Sequence, residues 1–272
     1  MTFKMTKGGR LSALIFYSFL AASVAPLLSL LVLTVTAAWP YPRLSPSVLS
    51  WRYIATVFAP NRQTAEALGN SVLIAVLTTL LTLLIAVPAA KALGLYRFRG
   101  RATVKLLALM PLMVPSITVT MGMHFSMIRL GLTGSILGVV IIHTVFTLPY
   151  AIRVLTNVFE LLGERHEVQA KMLGASQLMV LRNVTIPLIM PGLLSAATMS
   201  FIVSFTQYIT TFLIGGGRIL TIPLLFVPHL QSGEIQVAAV YSWLFIMTTL
   251  GALAITQGAV KKFYKSTYLL QP

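Results

Sequence analysis

The chain has 272 residues and a formal net charge of +15, yet 57% of its residues are hydrophobic and only 9% are charged. A water-soluble domain needs far more charge to cover its surface, so this composition excludes a soluble protein and indicates a membrane protein. The basic residues separate apolar runs instead of forming one face, which argues against nucleic-acid binding, and the absence of cysteine excludes disulfides and thiolate metal sites.

Six charge-free windows are long enough to cross a membrane. A helix needs about 20 apolar residues to span the hydrocarbon core, where its backbone must satisfy its own hydrogen bonds. We therefore predict an all-α membrane protein with six transmembrane helices. The fifth window exceeds one crossing, so part of it is expected to be loop or interfacial helix. In chain order the windows are 11–38, 68–90, 106–128, 130–152, 183–217 and 235–260.

The distribution of Lys and Arg predicts the orientation. With the N-terminus inside, 15 of the 20 basic residues fall in inner segments and five in outer ones, so the positive-inside rule places both termini in the cytoplasm. The first window is longer than the roughly 7–15 residues of a secretion-signal core, which favours an uncleaved helix.

The largest outer loop contains a candidate surface helix. Trp51, Ile54, Val57 and Phe58 recur at helical spacing, which predicts a short amphipathic helix within the segment 47–60. An interfacial aromatic anchor and a docking site for a partner protein both explain this pattern, and the sequence leaves the choice open.

The longest polar segment between apolar windows lies between Phe159 and Pro187, on the inner side. It predicts a helix over 160–173 that breaks at Gly174. Ser176 then caps a second short helix, and Pro187 begins the fifth span. Two short helices that meet at a glycine form a knob that a soluble partner can grip.

At these residues the chain resembles the permease subunits of binding-protein-dependent ABC importers, which have the type I, or MetI-like, fold. Their signature is Glu-Ala-Ala, three residues, Gly, nine residues and Ile-x-Leu-Pro. Gly174 and Pro187 have the required separation, and Ala170 is the second alanine. The chain departs from the signature at Val168, which occupies the glutamate position, with Glu167 one residue earlier.

The resemblance extends over about 68–260 and is closest to the polyamine-type (spermidine/putrescine) branch. The segments that carry it are LGNS at 68–71, YRFRG at 96–100, PLMVPS at 111–116, HTVFTLPY at 143–150 and SFTQYITTFLIGG at 204–216.

This resemblance implies a single transmembrane permease domain over 1–272, with a core at 68–260 and a cytoplasmic coupling loop at 158–186. It implies a multi-pass subunit of the bacterial inner membrane that imports a small polar organic solute, polyamine-like or other. The implied partners are a second permease subunit of different sequence, two cytoplasmic ATPases and an extracytoplasmic solute-binding protein. The coupling-loop residues expected to serve the ATPase contact are Glu164, Glu167, Ala170, Leu173, Gly174, Ala175, Ser176 and Pro187.

The ionisable residues point to an energy source outside this chain. It has no aspartate and five glutamates, none in the middle of a window, whereas ion-coupled carriers commonly bind their ion through an intramembrane carboxylate. No phosphate-binding loop motif occurs, so ATP and Mg are expected on the partner ATPase and no cofactor, metal or catalytic residue on this chain. The alternatives are a secondary transporter or channel without an ATPase, and a membrane-embedded enzyme, which would need clustered His, Asp or Glu.

Polar side chains form stripes on three of the windows. Such stripes line a hydrated path or pack helices against one another, and the sequence leaves both readings open. At Thr206 and Gln207, polyamine-type relatives commonly carry acidic residues, and neutral side chains fit a neutral, zwitterionic or anionic solute. His143 and His124 are expected to be hydrogen-bonded packing residues and not metal ligands. The candidate path residues are Ser200, Ser204, Gln207, Tyr208, Thr211, His143, Thr147, Tyr150, Ser116 and Thr120.

Overall fold

A computed structural model of the chain describes residues 7–39, 48–60 and 62–268. Over these residues the regular secondary structure is helical apart from one short antiparallel pair of strands. The elements in chain order are α1 (Lys7–Thr34), β1 (Thr36–Ala38), β2 (Val48–Leu49), α2 (Arg52–Phe58), α3 (Arg62–Leu95), α4 (Arg101–Leu109), a 3₁₀ turn (Met110–Leu112), α5 (Ser116–Arg129), α6 (Ile136–Leu162), α7 (Arg165–Met172), α8 (Gln177–Val180), a π-helical turn (Leu181–Thr185), α9 (Ile186–Phe205), α10 (Ile209–Gly215), α11 (Ile222–Gln231) and α12 (Ile235–Tyr268).

Within the described residues, five helical segments are long and apolar enough to cross a membrane, and a bent pair of helices makes a sixth if the pair is counted as one span. This agrees with the all-α architecture predicted from the six windows. The five single segments are Ser12–Thr34, Gln63–Leu95, Ile136–Leu162, Gln177–Phe205 and Ile235–Gly258.

The third predicted span is not a straight helix. Arg101–Leu112 and Ser116–Arg129 meet at a bend of 97°. Pro115 lies at the bend as the N-cap of α5. A proline cannot donate a backbone hydrogen bond and disfavours helical geometry in the residue before it, so the window 106–128 divides there.

Two other span boundaries differ from the windows. The fourth span begins at Ile136, because the Ser135 side chain caps α6 by accepting a hydrogen bond from the Gly138 amide at 3.1 Å. Helix α9 begins at Ile186 with Pro187 in its first turn, close to the expected start of the fifth span, but α8 and the π-helical turn continue into it without a break, so the helical segment begins at Gln177. The excess length of the fifth window is explained by a break at 206–208 that separates α9 from α10.

The chain divides into two compact units, the first comprising Met1–Asn61 and Phe226–Ile246. In it, the strands pair through Thr36 opposite Leu49 and Ala38 opposite Val48, and α2 is the short helix predicted in the outer loop. The apolar side chains in the most hydrophobic stretch of α1 are not buried, as is typical of a helix whose contacts are lipid or another subunit.

The second unit comprises Arg62–Leu225 and Met247–Pro272, and its core is formed by α3, α6 and α9. Alanines from all three helices are fully buried where these helices meet; they are Ala86, Ala90, Ala151 and Ala196. Small side chains let helix backbones approach closely, which is how helices gain packing contacts in a lipid environment. The result is a tightly packed three-helix core that carries the coupling loop.

Gly94 marks the closest approach of α3 to α6. A Cβ atom at this position would lie 2.6 Å from Phe159 Cβ and 3.1 Å from the Thr156 carbonyl oxygen. We expect Gly94→Ala to force the two helices apart and to lower the free energy of unfolding by about 1–3 kcal/mol. Thermal or SDS-induced unfolding of the purified subunit in detergent measures this cost.

The matched control is Gly69→Ala on the same helix, since a Cβ there meets nothing within 4 Å. It should leave stability unchanged or raise it by up to about 1 kcal/mol, because alanine favours the helix. Equal unfolding midpoints for the two variants would contradict the close packing at Gly94.

Candidate functional site

The coupling loop is built from short helices separated by glycines with positive φ. Helix α6 ends at Leu162, and Gly163 (φ 63°) turns the chain into α7. Gly174 (φ 85°) ends α7, as the sequence predicts. The Ser176 side chain caps α8 by accepting a hydrogen bond from the Met179 amide at 3.3 Å. The sequence missed only the first break, so one predicted helix becomes two.

The coupling loop exposes large apolar side chains. Leu161, Met172 and Leu173 are 87%, 82% and 88% exposed, more than any other large apolar residue that the structure describes. Helix α7 itself is polar, with Arg165, His166 and Lys171 all exposed. Of the other predicted coupling residues, Glu164 and Ser176 are exposed, and Ala170, Ala175 and Pro187 are partly buried.

Glu167 is the buried residue of α7. Its carboxylate accepts two hydrogen bonds from Lys91 Nζ on α3, both at 2.7 Å, and Oε1 accepts a third from Thr185 Oγ1 at 2.6 Å. Burial alone would raise the pKa of the Glu167 carboxyl. The hydrogen bonds from Lys91 and Thr185 and the positive charges of Lys91 and Lys171 outweigh burial and hold that pKa below its ordinary value. The carboxylate is therefore ionised at neutral pH.

A second ion-pair cluster joins the ends of α3, α4 and α6. Glu160 Oε1 accepts hydrogen bonds from Arg101 Nη2 at 2.7 Å and from Lys105 Nζ at 2.6 Å. Arg101 also donates to the Leu93 carbonyl at 2.7 Å and so closes the C-terminus of α3. The sequence did not predict either cluster, because the paired residues are far apart in the chain. The one local indication was Lys91, a charged residue directly after the apolar window 68–90.

His143 is the centre of a buried polar cluster on α6. Its Nδ1 lies 2.9 Å from Ser204 Oγ, and its Nε2 lies 3.0 Å from Thr211 Oγ1 and 3.2 Å from Thr210 Oγ1. Both threonine hydroxyls donate to oxygens of Gln207, Thr210 to Oε1 and Thr211 to the carbonyl. Since these hydroxyl protons are used on Gln207, the two threonine oxygens accept from His143, which places the imidazole proton on Nε2. Ser204 then donates its hydroxyl proton to Nδ1.

The candidate path residues divide by burial. Gln207, Tyr208 and Ser116 are partly exposed and Tyr150 is exposed, whereas the others are buried, namely Ser200, Ser204, Thr211, His143, Thr147 and Thr120. Among the buried ones, Ser204 and Thr211 contact His143, and Thr147 Oγ1 lies 2.5 Å from Thr82 Oγ1. These contacts are of the helix-packing kind that the sequence left open. The assignment to the path stays a prediction, and it rests most on the partly exposed members.

The space beside the cluster is small. A cavity of about 10 Å³ is lined by side chains that include His143, Ser204, Gln207 and Thr221. That volume holds a single water molecule at most.

Among the described residues, no group of three or more His, Asp or Glu side chains could hold a metal ion. The site thus combines an exposed coupling loop with a closed intramembrane polar cluster.

The helical spans and the coupling loop define the class of protein as a multi-pass membrane permease subunit. The family described as "Binding-protein-dependent transport system inner membrane component" matches residues 82–265, which is more than half of the chain. The chain therefore belongs to this family of ABC importer permeases.

Individual relatives agree with this assignment. The molybdenum transport system permease protein ModB of Mycobacterium tuberculosis is 29% identical over 216 residues, covering 75% of this chain and 77% of ModB. The spermidine/putrescine transport system permease protein PotC of Haemophilus influenzae is 24% identical over 213 residues, covering 78% and 82%.

A solved structure shares the fold. The crystal structure of a bacterial ABC transporter involved in the import of the acidic polysaccharide alginate matches with a TM-score of 0.70 and 18% identity, covering 97% of this chain and 100% of the matched one.

These findings confirm the function predicted from the sequence. The chain is a non-catalytic inner-membrane permease subunit of an ABC importer, and ATP hydrolysis belongs to a separate subunit. The comparisons give no support to a carrier or channel that works without an ATPase.

Proposed function

We propose that this permease pairs with a second permease subunit of different sequence and is driven by two cytoplasmic ATPase subunits that bind the coupling loops. An extracytoplasmic binding protein delivers the solute. ATP and Mg bind the ATPase, and the movement of that subunit is passed through the coupling loop to the transmembrane helices. This chain contributes the path and the mechanical link, with no covalent chemistry.

The exposed apolar side chains of the coupling loop carry this proposal. The exposed charges of Arg165 and Lys171 indicate that α7 lies in water. Burial of a large apolar side chain such as Met172 or Leu173 against a partner would therefore be favourable, because it removes apolar surface from water. Clustered apolar side chains rimmed by polar residues are typical of a protein interface. The basic residues around them favour the cytoplasmic side, where an ATPase is available.

Truncating one of these side chains tests the interface. Leu173→Ala should leave the subunit folded, because Leu173 packs on little of its own chain. Loss of part of the leucine burial should weaken the binding of the ATPase subunit by roughly tenfold. Binding is measured as the amount of ATPase retained on the affinity-purified permease over a series of ATPase concentrations.

The matched control is Leu49→Ala, which removes the same atoms from another exposed leucine in the predicted outer loop. It should leave ATPase binding unchanged. If Leu173→Ala and Leu49→Ala retain the ATPase equally well, the coupling loop is not the docking surface.

For the solute, we propose a small polar molecule that accepts hydrogen bonds. Gln207 is partly exposed at the break between α9 and α10, and its Oε1 is occupied by Thr210. Its amide nitrogen has no acceptor within the part of the chain that the structure describes, so both N–H donors are available. Together with the neutral Thr206, these donors favour a neutral, zwitterionic or anionic solute over a polyamine. The named relatives do not decide between these solute classes, since one is a molybdenum transport permease and the other a spermidine/putrescine transport permease.

A further inference from the structure

The carboxylate of Glu167 points into its own subunit. In α7 it is buried (9% exposed), while Glu164 at the N-cap of this helix and the adjacent Val168 are exposed. Three hydrogen bonds occupy its two oxygens, two from the Lys91 ammonium and one from the Thr185 hydroxyl. A carboxylate in this state has its charge neutralised and its strongest acceptor sites filled.

The three partners belong to three parts of the fold. Lys91 lies in the last turns of α3, Glu167 on α7 and Thr185 at the end of the π-helical turn that enters α9. Helices α3 and α9 pack on α6 in the three-helix core. The Glu167 carboxylate therefore ties the coupling loop to both flanking helices of the core, in addition to the covalent connection at Gly163.

We infer that Glu167 is an internal anchor of the coupling loop and not its contact with the ATPase. This inference rests on the proposed function of the coupling loop. Because the anchor holds α7 to α3 and to the start of α9, a push on the coupling loop moves these helices with it. The acidic residue that remains free for the ATPase is Glu164, which is exposed.

A cleft beside the ion pair does not change this assignment. The cleft has a volume of about 460 Å³ and is lined by Lys91, Glu167 and Lys171, among others. A partner side chain that entered it would meet the ion pair already formed. Separating a partly buried pair leaves each charge without its compensation, which is strongly unfavourable.

The first experiment uses the purified permease with no ATPase present. Glu167→Gln keeps the size of the side chain and an acceptor for Thr185 but loses the charge that pairs with Lys91. It should lower the unfolding midpoint by about 3–10 °C. The matched control Glu164→Gln removes an exposed carboxylate and should leave the unfolding midpoint unchanged. If Glu167 served only an external partner, Glu167→Gln would also leave the midpoint of the free subunit unchanged, against the inference.

The second experiment separates anchoring from docking in the assembled importer. Glu167→Gln should retain the ATPase at the wild-type level, whereas ATP hydrolysis per bound ATPase should change about fivefold or more, because docking is intact and the transmission of movement is not. Loss of ATPase binding with an unchanged unfolding midpoint of the free subunit would overturn the inference. Wild-type hydrolysis at wild-type binding would overturn it as well.

A cross-linking experiment tests whether Glu167 stays in contact with Lys91 during the ATP cycle. The chain has no cysteine of its own, so the double variant Lys91→Cys, Glu167→Cys offers one reactive pair on this subunit. A bifunctional methanethiosulfonate reagent that replaces the length of the two side chains should restore the hydrolysis rate that the reduced double variant lacks. An importer arrested by the cross-link would mean that Glu167 must leave Lys91, against the inference.

These outcomes are distinct from a failure of the proposed function. If Leu173→Ala leaves ATPase binding unchanged, the coupling loop is not the docking surface. The unfolding midpoints of the free subunit would still report whether Glu167 is an internal anchor.

Discussion

Replacement of Gly174 by valine is expected to abolish ATP hydrolysis by the assembled importer while the subunit remains inserted in the membrane. Gly174 has φ of 85°, a left-handed conformation that a β-branched residue adopts only under strain. A Cβ there would meet nothing within 4 Å in this chain, so the cause is backbone conformation and not crowding. The turn between α7 and α8 would refold, and the apolar side chains next to it would lose their arrangement.

Two comparisons isolate this cause. Gly174→Asn should retain most of the hydrolysis, since asparagine tolerates the left-handed region far better than valine. Gly233→Val imposes the same kind of strain at φ of 80°, outside the coupling loop, and should leave the interaction with the ATPase intact. Hydrolysis is measured with purified complex at saturating ATP. Equal losses for the Asn and Val variants would assign the effect to the side chain at the interface, and no loss in either would exclude this turn from coupling.

Replacement of Gln207 by leucine is expected to reduce solute uptake roughly 5- to 150-fold. The leucine keeps the bulk but removes the amide donors, leaving a hydrogen-bonding group of the solute unsatisfied at a cost of about 1–3 kcal/mol in the transport barrier. Uptake of the solute carried by the cognate binding protein is measured in proteoliposomes, and ATPase retention is measured in parallel. Binding of the ATPase should be unchanged, because Gln207 lies in the break between α9 and α10.

A second substitution distinguishes the solute contact from packing. Gln207→Glu keeps an oxygen for the Thr210 hydroxyl but exchanges the donors for a negative charge, so preference should shift toward cationic solutes. Gln231→Leu, at an exposed amide at the end of α11, is the matched control and should transport normally. If Gln207→Leu and Gln207→Glu both transport like the wild type, Gln207 belongs to helix packing and not to the path.

Much of the coupling loop could be predicted from local sequence. Gly174 and Ser176 stand where a helix end and a helix cap require a flexible backbone and a hydroxyl, and the structure uses both in this way. Pro187 is a less reliable signal. Proline is also tolerated in the first turn of a helix, so the preceding π-helical turn continues into α9 without a break.

The polar cluster could be predicted only in part. The spacing of Ser204, Gln207 and Thr211 places them on one helical face, but that spacing says nothing about what the face meets. In the structure, Ser204 and Thr211 are hydrogen-bonded to His143, which lies 61 residues before Ser204 in the chain. The packing of α6 against α9 and α10 decides that Ser204 and Thr211 are buried while Gln207 stays partly exposed, and no local pattern encodes this packing.

The sequence by itself determined that this protein is an all-helical membrane permease and where its coupling loop lies, and it predicts six crossings and an orientation. These features depend on local hydrophobicity, on the placement of basic residues and on the conformational preferences of single glycines and serines. Tertiary structure alone decided that Glu167 is bound by Lys91, 76 residues earlier, and that the third span bends by 97°. A long-range ion pair and a bend angle are set by how helices pack, because packing brings together residues that the chain keeps far apart.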